Sequence, residues 1–168
     1  QPVKYLSSRG QAPVLAFDDV VLAGLARDGG LYLPQSWPSL AEADWPALAR
    51  LSYPELAARL LALFSRPSIG EDALLALARD AYRGFDHPDV APLTALGDDL
   101  YLLELFHGPT LAFKDFALQL LGRLFDLVLA RRGSRVTIVG ATSGDTGSAA
   151  IEACRDRERL DIFILFPH

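Results

Sequence analysis

The chain has 168 residues, 51% hydrophobic and 22% charged, with a formal net charge of −5. That composition excludes a disordered polymer and supports a sizeable core. The acidic balance and scattered arginines exclude a general nucleic-acid binder, because phosphate backbones demand clustered basic residues.

The length suits one compact domain or two small ones. In chain order, the first half reads as small helices. Residues 17–26 place Phe17, Val20, Val21, Leu22 and Leu25 on one broad face, and Asp28-Gly29-Gly30 offers a left-handed C-terminal stop. Two capping boxes follow, Ser52-x-x-Glu55 and Ser68-x-x-Glu71, each ahead of an apolar-faced helix, the second closed by Gly84. Pro88 and Pro92 break helical continuity. Residues 92–96 and 99–106 read as short strands joined by Gly97-Asp98, and 114–132 as a long amphipathic helix ended by Gly133, with Arg131-Arg132 where a helix end favours cations. The last third switches to strand (135–139), helix (148–157) and strand (161–166). This is a βαβ unit with a right-handed crossover, and its apolar strands are expected to be covered on both faces. The chain stops at Pro167-His168, directly after that strand, which suggests a fragment or a chain that relies on a partner.

Cys154 is the only cysteine, so these residues form no internal disulfide, and a reducing compartment is the simplest reading. Its helical, apolar setting fits a packed thiol. The longest apolar stretch, 116–130, is interrupted by Gln119, Arg123 and Asp126, whereas a membrane span needs about 20 mostly apolar residues. No basic segment followed by a long apolar run marks a signal peptide. A soluble, cytoplasmic protein without a membrane or nucleic-acid partner is the expectation, and no metal-ligand spacing is seen.

Two segments carry chemistry. The chain has fourteen Arg but only two Lys, and Lys114 stands in Leu111-Ala112-Phe113-Lys114-Asp115-Phe116, at the start of the long helix. Apolar neighbours and a helix N-terminus both favour a neutral amine, which can attack a carbonyl. The plain alternative is a lysine that snorkels to water beside an apolar face. The second segment, Gly140-Ala141-Thr142-Ser143-Gly144-Asp145-Thr146-Gly147, joins a strand to a helix N-terminus. Its glycines let backbone N–H groups face a crevice and bind an anion. The spacing is neither a dinucleotide fingerprint nor a Walker loop. Its three hydroxyls and one carboxylate suit a small polar ligand, and the plain alternative is a tight turn that caps its helix. An amine nucleophile and an anion loop in one α/β protein suit a pyridoxal phosphate enzyme.

These residues resemble the threonine synthase family, of the tryptophan-synthase-β-like class of pyridoxal phosphate enzymes. The likeness lies in Tyr5-Leu6-Ser7-Ser8-Arg9-Gly10 with Asp28-Gly29-Gly30-Leu31-Tyr32-Leu33-Pro34, in 107–116 and in 141–147, and its last stretch is 163–168. The resemblance implies an α/β fold: an N-terminal helical layer, then the start of a fold-type-II pyridoxal phosphate enzyme, truncated. It divides the chain into a helical domain (1–90), a cofactor-lysine segment (91–133) and the start of a parallel βαβ domain (134–168). It implies that Lys114 binds pyridoxal 5'-phosphate covalently and shuttles protons at the substrate's α and β carbons. Ser143, Gly144, Asp145 and Thr146 would contact the cofactor, and Thr142, Ser143 and Thr146 the substrate carboxylate. Related enzymes often carry Asn where Asp145 stands, and a carboxylate there prefers a protonated partner. The implied reaction is a lyase step of threonine biosynthesis, O-phosphohomoserine and water giving threonine and phosphate. The family's cradle for the cofactor phosphate and its group facing the pyridine nitrogen lie beyond this stretch, so weak or absent catalysis is expected of these residues alone. The remainder of a parent chain, or self-association, is the expected macromolecular contact. Two other readings stay open: a nucleotide- or dinucleotide-binding α/β domain, which leaves Lys114 unexplained, and a non-catalytic interaction module.

Overall fold

The computed structural model describes residues 2–167; the reading of the terminal His168 falls outside them. The chain divides into two compact units, Gln1–Ala78 and Arg79–His168.

In the first unit, β1 (Tyr5–Ser7) pairs antiparallel with β2 (Tyr32–Pro34), in the register Tyr5↔Pro34, Leu6↔Leu33 and Ser7↔Tyr32. The reading of this half as helices alone missed these strands, because three residues are too few to show alternation. Asp28 knots the two segments together. Its carboxylate accepts the Ser7 hydroxyl at 2.7 Å and the backbone N–H groups of Gln11 and Gly30 at 2.9 and 3.0 Å. The Ser7 hydroxyl is the chief reason its carboxyl sits below the usual range, with those N–H groups adding to it. Gly30 has no room for a Cβ, which would collide with Ser7 Oγ. The Gly29-Gly30 pair therefore serves this knot and does not end the preceding helix. That helix, α1 (Phe17–Ala23), stops earlier, at Gly24, whose φ is 62°.

A 3-10 turn (Glu42–Asp44) leads into the short α2 (Trp45–Leu48). In α3 (Tyr53–Ser65) the expected cap is present, with the Ser52 N–H donating to Glu55 Oε2 at 2.9 Å. The next helix, α4 (Glu71–Tyr82), departs from expectation. It begins at Glu71 itself, so Glu71 is its first residue and not its third, and its carboxylate ties Arg59 and Arg66 at 3.2 and 3.0 Å. Ala58, Ala62, Ile69, Leu74 and Ala78 are buried in this unit.

The second unit starts within α4. A hairpin pairs β3 (Leu93–Gly97) with β4 (Leu100–Leu103) around Asp98-Asp99, one residue later than expected, with Asp99 at φ 58°. The second strand ends at Leu103 and not at 106, because Glu104 turns its side chain to Thr94 and His107. The long helix α5 (Asp115–Arg132) matches its expected span to within one residue, and Gly133 closes it in the left-handed conformation. A parallel βαβ unit follows: β5 (Val136–Ala141), α6 (Asp145–Cys154) and β6 (Leu160–Leu165), paired from Val136↔Leu160 to Ala141↔Leu165.

Within this stretch β5 and β6 are covered on one face, as expected of a sheet that lacks its other covering elements. Ile138 and Leu160 line a small apolar cavity with Leu118, Leu121 and Cys154 from the two helices. On the other face Val139, Phe163 and Leu165 are 70%, 62% and 64% exposed. Their apolar character alone could not tell one covered face from two. The helices pack so closely that a Cβ on Gly122 would strike the Ala153 carbonyl oxygen. Cys154 is a packed thiol, and burial raises its pKa. Among the described residues no helix is long and apolar enough to cross a membrane, and no His/Cys/Asp/Glu cluster could hold a metal ion.

Candidate functional site

The lysine sits at the N-cap of α5, with φ −66° and ψ −19°, and its carbonyl accepts the Leu118 N–H at 2.9 Å. It is half-buried. Its Nζ lies 4.6 Å from the centroid of the Phe113 ring, a cation–π arrangement. Among the described residues, its ammonium makes no hydrogen bond or ion pair. The flanking Leu111 and Phe113 are exposed, so the apolar character of this segment does not enclose the amine.

What holds the segment is polar. Asp115 is fully buried. It accepts the Thr110 backbone N–H at 2.8 Å and the Thr110 hydroxyl at 2.7 Å. Gly108 packs against it, and a Cβ there would lie 2.5 Å from Asp115 Oδ2. Between them Leu111 takes φ 64°, a conformation that costs a side-chain-bearing residue about 1 kcal/mol or more. A turn bond from the Leu111 N–H to the Gly108 carbonyl, 3.1 Å, helps to hold it.

The loop after β5 is organised by one side chain. Thr142 Oγ1 accepts the Gly147 N–H at 2.9 Å, and Thr142 itself is anchored by its N–H to the Leu165 carbonyl at 3.1 Å. Gly147 is buried where a Cβ would lie 2.6 Å from that hydroxyl. Ser143, Asp145 and Thr146 are exposed, and residues 141–146 line an open concavity of about 560 Å³. The helix begins at Asp145, three residues earlier than expected. Asp145 and Thr146 therefore belong to its first turn, where backbone N–H groups await an acceptor.

Both segments lie at the same end of the second unit. Gly122 touches Ala153, and farther along Asp126 pairs with Arg159 at 3.7 Å. α5 ends at Arg132 just before β5 and α6 ends at Cys154 just before β6, and the two strand starts pair side by side at Val136↔Leu160, so α5 and α6 run in the same sense. Lys114 precedes Gly122 by eight residues and Asp145 precedes Ala153 by eight, about 12 Å along each helix. Lys114 and the hydroxyl-rich loop thus stand at the end where β5 and β6 finish, the end at which α/β sheets bind ligands.

Sequence reasoning missed Thr110 and Asp115 as determinants of the lysine loop, and it missed the partners of His107. That imidazole lies 2.6 Å from Glu104 and 3.0 Å from Asp86. Glu104 holds the His107 ring above its ordinary pKa, with Asp86 adding to it. The available signal was an acidic residue directly after the lysine, at a helix start that favours carboxylates.

Fold and site define a mixed α/β protein that presents a lysine and a hydroxyl-rich βα loop at one end of a parallel βαβ unit. Comparison makes this specific. The sequence profile described as the threonine synthase N terminus matches residues 4–82. A threonine synthase of Pseudomonas aeruginosa is 55% identical over 166 residues, 99% of this chain and 35% of that protein. A crystal structure of PLP-bound threonine synthase from Brucella melitensis superimposes with a TM-score of 0.95 at 55% identity, covering 99% of this chain and 36% of that one. The yeast threonine synthase structure gives 0.90 at 38% identity, covering 98% and 35%. The chain is thus similar to the N-terminal part of these threonine synthases, and it spans about 35% of the length of the curated relatives it matches.

Proposed function

We propose that this chain is the lysine-bearing portion of a pyridoxal phosphate-dependent threonine synthase, a carbon–oxygen lyase of fold type II that acts on O-phosphohomoserine in threonine biosynthesis. The observation that carries this reading is the placement of Lys114. Its ammonium has no hydrogen-bond or ion-pair partner among the described residues, and it stands at the same end of the unit as the loop 142–146.

The residues present fit that cofactor. An amine without a competing carboxylate is available for covalent attachment, and the exposed loop offers hydroxyls and helix N-terminal N–H groups to anionic oxygens. When bound, pyridoxal phosphate supplies the electron sink for loss of phosphate from the substrate. Lys114 holds the cofactor and then moves protons at the substrate's α and β carbons. Thr142, Ser143 and Thr146 orient the substrate carboxylate, and Ser143, Gly144, Asp145 and Thr146 flank the cofactor's phenolic side. The Asp145 carboxylate sits best beside a protonated partner. Division into a helical domain (1–90), a lysine segment (91–133) and a βαβ domain (134–168), and residence in the cytoplasm, belong to the same proposal. A nucleotide-binding domain gives Lys114 no role, and neither the site nor the relatives favour it.

The test is to mix the 168-residue chain with pyridoxal phosphate, reduce with borohydride and locate the adduct by peptide mass spectrometry. The adduct is expected at Lys114 and absent from Lys114→Ala. Attachment only at Lys4 or the terminal amine would overturn the assignment. O-phosphohomoserine turnover by these residues alone is expected to be weak or absent, and rapid turnover would show that they suffice.

A further inference from the structure

We propose that His107 is a positioning residue for Lys114, fixing the start of the lysine loop through a bridge from Glu104 to Asp86. This rests on Lys114 being the cofactor's point of attachment.

Two segments meet on this imidazole, and a third is joined to it through Glu104. Its Nε2 lies 2.6 Å from Glu104 Oε2 at the end of β4, and its Nδ1 lies 3.0 Å from Asp86 Oδ1 in the loop after α4. Glu104 Oε1 accepts the Thr94 hydroxyl of β3 at 2.7 Å. The backbone repeats the connection: the Asp86 N–H donates to the His107 carbonyl and the Glu104 N–H to the Pro92 carbonyl, both at 3.0 Å. A neutral imidazole has one donor, so it would turn a lone pair toward one of the two carboxylates. The geometry therefore suits the imidazolium. The side chain is only 14% exposed, and Phe106 and His87 lie against it with ring centroids 4.6 and 5.0 Å away. The titratable groups facing it are Asp86 and His87 from the loop after α4, and Glu104 from the end of β4.

This bridge passes to the lysine through two covalent neighbours and one contact. Gly108 follows His107 and is wedged against Asp115 without room for a methyl group. Asp115 follows Lys114 and holds Thr110 from both its backbone and its hydroxyl. A shift of the imidazole therefore moves Gly108 against Asp115 and disturbs the turn that keeps Leu111 at φ 64°. Asp115 fixes one end of the loop and His107 the other.

The pH dependence has a definite sign. The His107 pKa is raised chiefly by its hydrogen bond to Glu104, so its contribution is full below the ordinary histidine value and is lost as pH rises through the raised value. The Glu104 carboxyl is lowered, first by Thr94 and then by His107, so its contribution is full above the ordinary carboxyl value and is lost as pH falls through the lowered one. The loop is held between those limits.

The experiment follows three readouts on the 168-residue chain across pH. They are the His107 ring proton shift by NMR, the exchange protection of the Thr110 and Leu111 amides, and the rate of borohydride-trapped cofactor attachment. Protection is expected to fall with the same midpoint as the His107 titration, above the ordinary histidine range. Glu104→Gln is expected to move both midpoints down together, and His107→Ala to slow attachment at Lys114 about tenfold or more. If protection and attachment ignore the His107 titration, the proposal fails while Lys114 keeps its role. If no adduct forms at Lys114, the functional reading fails, and the amide protection still decides whether His107 holds the loop. Should His107→Ala not fold, Glu104→Gln, which keeps the shape of the side chain, carries the test.

Discussion

Two loops deliver the chain into two parallel helix N-termini, and they are held by opposite means. The lysine loop, 107–115, is closed by charged partners: a buried carboxylate at its end, an imidazole between two carboxylates at its start, and a strained Leu111 between. The loop after β5 is closed by one neutral hydroxyl and a glycine, and its side chains face solvent. The difference follows from what each presents. Under the proposed function the first presents a reacting amine, which must point one way, and orientation contributes several kcal/mol to catalysis, so a locked loop suits it. In the same proposal the second offers backbone N–H groups, which the helix already orients, so little else is needed.

The largest effect should come from cutting the buried lock. Asp115→Ala leaves the part-buried Thr110 N–H and hydroxyl without their acceptor and opens a buried site, and should cost about 3 kcal/mol by urea unfolding. Near-neutrality would show that the lysine loop is no more constrained than its counterpart. In the other loop Gly147→Ala drives a methyl group onto Thr142 Oγ1, and the strain outweighs alanine's better helix propensity, for a net loss of about 1–2 kcal/mol. The smallest effect is Thr142→Ala, which removes one neutral acceptor and should cost about 1 kcal/mol. Made in the Gly147→Ala background it should cost less still, because it vacates the space the methyl group needs. Strict additivity in that double-mutant cycle would mean that Thr142 and Gly147 do not form the unit described here.

The sequence was most legible where structure is local. The span of α5, its glycine stop and its terminal arginines follow from helix periodicity and capping, which act within a few residues. The Ser52–Glu55 cap held for the same reason. The Ser68–Glu71 pair has the same spacing, yet its helix opens at Glu71, whose carboxylate is drawn to Arg59 and Arg66. Glycines were legible as special but not always for the right reason, since Gly29-Gly30 looked like a helix stop and instead makes room for the Ser7–Asp28 knot.

By itself the sequence determined the lysine, the hydroxyl-rich loop and the strand–loop–helix setting, because residue type and short spacing decide those. Only the tertiary structure decided that Asp28 joins two strands 25 or more residues apart in register, that His107 is held between two carboxylates, and that Lys114 and the loop 142–146 share one end of the unit. Those outcomes rest on contacts between residues far apart in the chain. Each must offset the entropy of bringing its partners together, and no local pattern records which pairs succeed.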